Sequence, residues 1–372
     1  MVSKELVRRA IRHESPERIP VTNFIIDWVR WKNARTPEEV RELERIVSIL
    51  PDDSFCLDYE SQEGYSNGLH SEDNPDGILY DEWQVGWIYK NKVQVKLKNP
   101  MQDGWEKLEQ MRSADPDDPK RFEKVRADIV NKKDKYVLAR DFFTLFERMW
   151  FIRGMENILV DHILDYDNFK KLRDIIVEYN LKIIDHWIEL GVDGIFFSDD
   201  WGTQRGLMIN PGDWRKHYKP CYKELFEKVK SAGIDVWMHL DGNINEIIPD
   251  LIEVGLDVYN PVQNQVVDIY HLKKKYGGHL CFNGGVDVQK TLPFGTPKEI
   301  KDEVDTMVSV LGSSNGGLVI GASHTILPDA PLKNIEALIE AIVRHTGINK
   351  EIKSPEIYNK INNSMLDQRQ GK

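Results

Sequence analysis

The stretch VWMHLDGN ends an apolar run with a histidine and an aspartate two residues apart, His239 and Asp241. Imidazole and carboxylate both ligate zinc or iron and both carry protons, so the pair suits metal or acid–base chemistry. Four other stretches end in the same way. FFSDDWGTQRG carries Asp199, Asp200, Trp201 and Arg205, YNPVQ carries Asn260 and Gln263, CFNGGVD carries Asn283 and Asp287, and GASHT carries His324. Polar groups placed where apolar runs stop are costly to bury without partners, so a ligand, a metal ion or one another must satisfy them. On these types Asp199, Asp200 and His239 are the catalytic candidates. Trp201, Arg205, Asn260, Gln263, Asn283 and Asp287 are candidates for substrate binding, and His239, Asp241 and His324 for a metal ion.

Each candidate also has a structural reading. Asp199 and Asp200 can cap the helix that follows, Asp287 can be a turn residue, and Arg205 can form a surface ion pair. Cys281 is expected to pack inside its strand as a small hydrophobe, and most of the tryptophans to belong to the core. His239 can hydrogen-bond Asp241 without any metal.

The elements that must position these residues alternate along the chain. β-branched or aromatic runs at 18–27, 54–59, 135–140, 193–199, 235–240, 256–260, 279–284 and 317–323 predict eight strands. Between them lie segments of helical period such as NFKKLRDIIVEYNLKIIDHWIELG and TPKEIKDEVDTMVSVLG, several opened by Pro, Thr or Asn and closed by Gly. Eight βα units, with no Gly-x-Gly-x-x-Gly after the first strand, favour a (β/α)8 TIM barrel over an open doubly wound sheet. In such a barrel the strand C-termini build the site, and the two-residue spacing of His239 and Asp241 sends both side chains to one side. YDEWQVGWIYKNKVQVKLKNP alternates in period two and predicts a β-hairpin, part of an insertion at about 60–130 that continues as polar helix and loop. The expectation for 1–372 is a single barrel domain.

Composition removes several function classes. Lys plus Arg number 50 against 61 Asp plus Glu, a net charge of -11, and no basic run interleaves with aromatics, which argues against nucleic acid as a partner. The first residues lack an apolar signal core and no long uncharged apolar run occurs, so a cytoplasmic protein with no membrane partner is expected. Cys56, Cys221 and Cys281 are odd in number and far apart, which fits a reducing compartment. A homodimer is compatible with all of this.

The segments LFERMWFIRGMENILVDHI, GVDGIFFSDDWGTQRGLMINPGDW, HLDGNINEIIPDLIEVGLDVYNPVQ, GGVDVQKTLPFGTP and GASHTILPDAP resemble the uroporphyrinogen decarboxylase superfamily. Within it they are more similar to the corrinoid-linked methyltransferase branch than to the true decarboxylases. The resemblance implies a (β/α)8 barrel and covers most of the chain. True decarboxylases of the family carry an arginine-rich segment near the first strand, whereas the matching region here reads RIPVTNFIIDWVRWKNAR. The zinc methyltransferases carry a His-x-Cys pair and a later Cys. This chain keeps His239, has Asp241 for the first Cys, and has Ser323-His324 near the second. A His-Asp-His set is a harder Lewis acid centre than a thiolate one, better matched to an ether or alcohol oxygen than to a thiol.

The expected function is therefore transfer of a methyl group from a small methoxylated or methylated substrate to a corrinoid. No Asp-x-His-x-x-Gly motif is present, so the corrinoid would be carried by a partner protein. The alternatives are a decarboxylase or lyase, and a non-catalytic barrel that binds a small ligand.

Overall fold

The computed structural model describes residues 1–347 apart from 23–25, 61–76, 91–92, 112–113, 131 and 133. Seven parallel strands form one curled sheet in chain order: β1 (Ser54–Asp58), β5 (Tyr136–Asp141), β6 (Gly194–Ser198), β7 (Asp235–His239), β8 (Val258–Asn260), β9 (Cys281–Gly284) and β10 (Leu318–Ile320). Between β1 and β5, strands β2 (Leu79–Tyr80), β3 (Gly86–Lys90) and β4 (Val93–Lys98) make a separate antiparallel sheet, which is the expected hairpin insertion. The part of the insertion at 61–76 lies outside the described residues.

The eighth barrel position is filled by a shorter contact than the expected strand 18–27. Val21 forms an isolated parallel bridge with Ile320 of β10, and its carbonyl accepts the Asp53 N–H next to β1. That residue therefore joins the two edges of the sheet and closes a (β/α)8 barrel. Pro20 has no N–H to give to a ladder, residues 23–25 are not described, and a second bridge at Ile26 leads straight into the helix Trp28–Ala34.

Inward-pointing side chains fill the barrel. Tyr136, Leu138, Phe196, Trp237, Val258, Cys281 and Val319 pack against Val7, Ala10 and Ile11 of the helix Ser3–Ile11. This N-terminal helix plugs the end of the barrel from which the strands start. Asp193, just before β6, ties it down by accepting from Lys4 at 2.6 Å and Arg8 at 2.7 Å. The plug has a physical consequence, since the opposite end is left as the one that can open to a ligand. Cys281 is fully buried in the barrel interior, as expected, and all three cysteines are free thiols.

Among the described residues, no helix is long and apolar enough to cross a membrane.

Candidate functional site

Strand register assembles the site before any side chain is considered. Ser198 of β6 pairs with His239 of β7, and His239 with Asn260 of β8, so three inward residues lie in one layer at the C-terminal ends of their strands. Asp200 follows β6 by two residues, Asp241 follows β7, and His324 follows β10. The loops after β6 and β7 touch backbone to backbone. A Cβ on Gly202 would lie 2.6 Å from the Asp241 carbonyl oxygen, and Gly242, at φ 85°, would place one 2.4 Å from the Gly202 backbone. Only glycine permits this approach, which brings Asp200 and Asp241 together: the Asp241 N–H donates to Asp200 Oδ1 at 3.0 Å.

A cavity of about 300 Å³ opens at this end, lined by Arg140, Phe142, Phe143, Glu147, Phe196, Ser198, Asp200, His239, Asn260 and the turn 322–325 with His324. The ring of His239 presents its Nε2 3.6 Å from Asp241 Oδ1 and 4.0 Å from Asp200 Oδ1. Its Nδ1 is 2.7 Å from Asn260 Oδ1. Potential ligand atoms of His239, Asp241 and His324 all lie within 4.8 Å of one another. Gln263 holds Asp241 in place, donating to its Oδ1 at 3.1 Å while accepting from the Gly242 N–H at 2.9 Å.

The His239–Asp241 separation of 3.6 Å is longer than a direct hydrogen bond. Donors about 2.1 Å from a tetrahedral zinc sit roughly 3.4 Å apart, whereas a direct N–H···O bond would close to about 2.9 Å. His239 and Asp241 fit this description. His324 stands within 4.8 Å of that pair, and its Nδ1 accepts the Thr325 N–H at 2.8 Å. That contact places the ring proton on Nε2, and ligation through Nε2 requires giving it up. His324 lies at the cavity rim with one edge open to solvent, and its pKa is lowered by the partial desolvation of the ring on its cavity side and then by the nearby His239 ring, against the pull of Asp241 and Asp200.

Glu147, which is not among the residues expected from sequence, is the most perturbed acid on the cavity wall. It is buried, accepts from Ser198 Oγ at 3.2 Å, and its pKa is pushed up to about 9 by burial first and then by Asp200 and Asp199. Burial and the neighbouring carboxylates therefore favour its neutral form. Asp141, buried beside Tyr59, is pushed up to about 7, mainly by burial, and Asp200 is also raised, again mainly by burial. A sequence signal for Glu147 does exist: it is a lone acid inside the apolar run LFERMWF.

Several expected site residues have other duties. Asp199 is fully buried and caps the helix Phe146–Arg153, accepting from the N–H groups of Leu145 at 2.9 Å, Phe146 at 3.0 Å and Glu147 at 2.7 Å, and from Tyr222 OH at 2.6 Å. The catalytic expectation for it is corrected, since its oxygens are spent. Burial pushes its pKa up to about 6, against those hydrogen bonds. Trp201 is core, stacked on Phe146 at 4.0 Å with its Nε1 donating to Tyr222 OH, so it does not reach a substrate. Arg205 is exposed on a turn organised by Thr203, away from the cavity lining. Asp287 accepts from the Gln289 and Lys290 N–H groups and is a turn residue. Asn260 alone of the expected substrate binders lines the cavity; Asn283 lies fully buried behind it, and Gln263 serves Asp241.

Fold and site together define a β/α barrel that presents titratable and metal-competent side chains at its C-terminal mouth. The chain belongs to the uroporphyrinogen decarboxylase (URO-D) family, whose model matches residues 87–345. It is similar to the uroporphyrinogen decarboxylase of Chloroherpeton thalassium, 25% identical over 163 residues, covering 43% of this chain and 44% of that protein. It is also similar to a methylated-thiol–coenzyme M methyltransferase of Methanosarcina mazei, 21% identical over 151 residues, 41% of this chain and 38% of the relative. The matched segments thus span less than half the length of these curated relatives. A solved methyltransferase from Methanosarcina mazei superposes with a TM-score of 0.65 at 17% identity, covering 92% of this chain and 99% of that one, which establishes the shared fold.

Proposed function

We propose that this chain is a methyltransferase that passes a methyl group from a small methoxylated or methylated compound to a corrinoid carried by a partner protein. The observation that carries the reading is the set of donors at the mouth: a histidine nitrogen and two carboxylate oxygens, 3.6 and 4.0 Å from it, face one space at distances suited to a shared ion. His239, Asp241 and His324 would hold zinc or iron there, with Asp200 as a further oxygen. Bound in that position, the metal supplies a Lewis acid for the heteroatom that carries the methyl group.

The remaining roles fall to the chain's own residues. Phe142, Phe143 and Phe196 pack the apolar part of the substrate and exclude water from the cavity. Glu147, neutral and aimed at the same space, donates a proton to the leaving heteroatom as its bond to the methyl carbon breaks. The heteroatom keeps the bonding pair and takes the proton, and the methyl group leaves to the reduced corrinoid. The negative charge of Asp200 raises the Glu147 pKa and so helps keep that acid supplied with its proton.

Decarboxylation of a porphyrinogen, the activity printed in the family's name, also consumes a proton. The cavity lining is less suited to a polyacidic substrate, because Arg140 is its one arginine among the described residues and both Nε and Nη2 already pair with Asp58. The test is to mix the purified chain with a pre-reduced corrinoid protein and a panel of methoxylated and methylated donors, following the visible spectrum of the corrinoid. Methylation that requires both proteins is expected. Carbon dioxide release from uroporphyrinogen, with no corrinoid methylation from any donor, would overturn the proposal in favour of the decarboxylase reading.

A further inference from the structure

His239 does not stand alone at the end of β7. Its Nδ1 meets Asn260 Oδ1 at 2.7 Å, Asn260 Nδ2 donates to Asn283 Oδ1 at 2.7 Å, and Asn283 Nδ2 donates to the Val319 carbonyl at 3.0 Å. Both asparagines are buried, Asn260 at 1% and Asn283 at 0% exposure, and their amides are held by these protein partners. The line crosses four adjacent strands, β7 to β10, and follows from their register.

The direction of every bond in this line is dictated from its far end. A backbone carbonyl only accepts, so the Asn283 amide must turn its nitrogen to Val319 and its oxygen to Asn260. The Asn260 amide must then turn its nitrogen to Asn283 and its oxygen to His239. An amide oxygen only accepts, so the proton of the neutral imidazole sits on Nδ1. We infer that Asn260 and Asn283 are positioning residues, forming a relay from the Val319 carbonyl that locks His239 as the Nδ1–H tautomer with a bare Nε2 turned to Asp241 and Asp200.

The consequence for the site is specific. A lone pair and two carboxylate oxygens then converge with no proton of the neutral ring between them, an arrangement that attracts a positive charge, either a metal ion or a proton on Nε2. Second-sphere partners of this kind fix the tautomer and orientation of metal-ligating histidines, and their loss typically costs about 10–100-fold in metal affinity. The functional weight of the relay rests on the metal reading proposed above, whereas the tautomer itself does not.

The test separates the two. NMR of the His239 ring nitrogens in metal-free protein should find the proton on Nδ1. Asn283→Leu removes the donor to Val319 and the acceptor for Asn260, frees the Asn260 amide to turn over, and should produce a mixed or Nε2–H tautomer with zinc affinity about tenfold lower or worse by chelator competition. A neutral His239 ring that carries its proton on Nε2 and not on Nδ1 in the parent, measured at a pH where the ring is neutral, overturns the relay, and this measurement decides the matter even if Asn283→Leu does not fold. So does a folded Asn283→Leu protein that keeps both the Nδ1–H tautomer and the parent zinc affinity. Zinc binding that survives His239→Ala would instead remove the metal reading and leave the tautomer assignment standing.

Discussion

Glu147→Gln should stabilise the protein, and by an amount that grows with pH. In the folded chain the Glu147 pKa is raised to about 9 from its ordinary 4.5, so the folded state holds a proton that the unfolded chain releases once the pH exceeds 4.5. The sign follows: the stability associated with the neutral acid is fully present below about pH 4.5 and is lost progressively as pH rises through the folded pKa near 9. Each pH unit in that window costs about 1.4 kcal/mol, so at pH 7 the loss relative to acid is roughly 3 kcal/mol. That figure is set by the distance from 4.5 to 7 and is unchanged by the folded pKa, provided it lies well above 7. The substituted glutamine keeps a neutral carbonyl for the Ser198 hydroxyl and carries no titration. Urea unfolding of both proteins from pH 5 to 8 is the assay, with the difference read at each pH. A variant advantage that rises by about 1.4 kcal/mol per pH unit is expected. Parallel pH dependences for parent and variant would refute the protonated acid and, with it, the proton donor assigned above.

Three further outcomes follow from the same geometry. Asp199→Ala should destabilise the fold on the order of 3 kcal/mol in thermal or urea unfolding, because it orphans three helix N-terminal N–H groups and the Tyr222 hydroxyl; an unchanged midpoint would contradict the capping role. Gln263→Ala should leave the unfolding midpoint close to that of the parent and weaken zinc binding about tenfold, since its amide orients Asp241, and equal affinity in chelator competition would count against it. Asp193→Ala should loosen the N-terminal plug by roughly 2 kcal/mol, since Lys4 and Arg8 lose their common partner, seen as faster amide exchange in Ser3–Ile11 with the zinc affinity retained.

Much of the barrel is legible in the sequence because strand and helix periods differ so plainly. The expected strands 135–140, 193–199, 235–240, 256–260 and 279–284 fall on β5 to β9 with small shifts at their ends. The exception is the first strand, where Pro20 removes a donor and a helix begins at Trp28, leaving bridges at Val21 and Ile26. The N-terminal helix plug is not legible, although Leu6, Val7, Ala10 and Ile11 have helical spacing, because amphipathicity alone does not say which end of a barrel a helix covers.

The candidate site is legible in part for the same kind of reason. Strand-end position brings Asp200, His239, Asp241, Asn260 and His324 to one mouth. Residue type does not separate Asp199 from Asp200, yet their adjacency does: Ser198 and Asp200 line the cavity, while Asp199 turns outward to cap a helix. Glu147 escapes a strand-end search because it sits on a helix start, where only the packed structure reveals that its carboxyl faces the cavity. Asn283 has the chemistry of a substrate binder, and its burial behind Asn260 is a matter of register between β8 and β9.

The measurement that bears most directly on the proposed site is the metal content of the anaerobically purified chain, compared with that of His239→Ala and Asp241→Ala. The account predicts about one zinc or iron per parent chain, lost in both variants while their unfolding midpoints show a retained fold. A metal-free parent that still methylates a corrinoid protein would contradict it, and would turn His239, Asp241 and Asp200 into groups that bind the substrate directly.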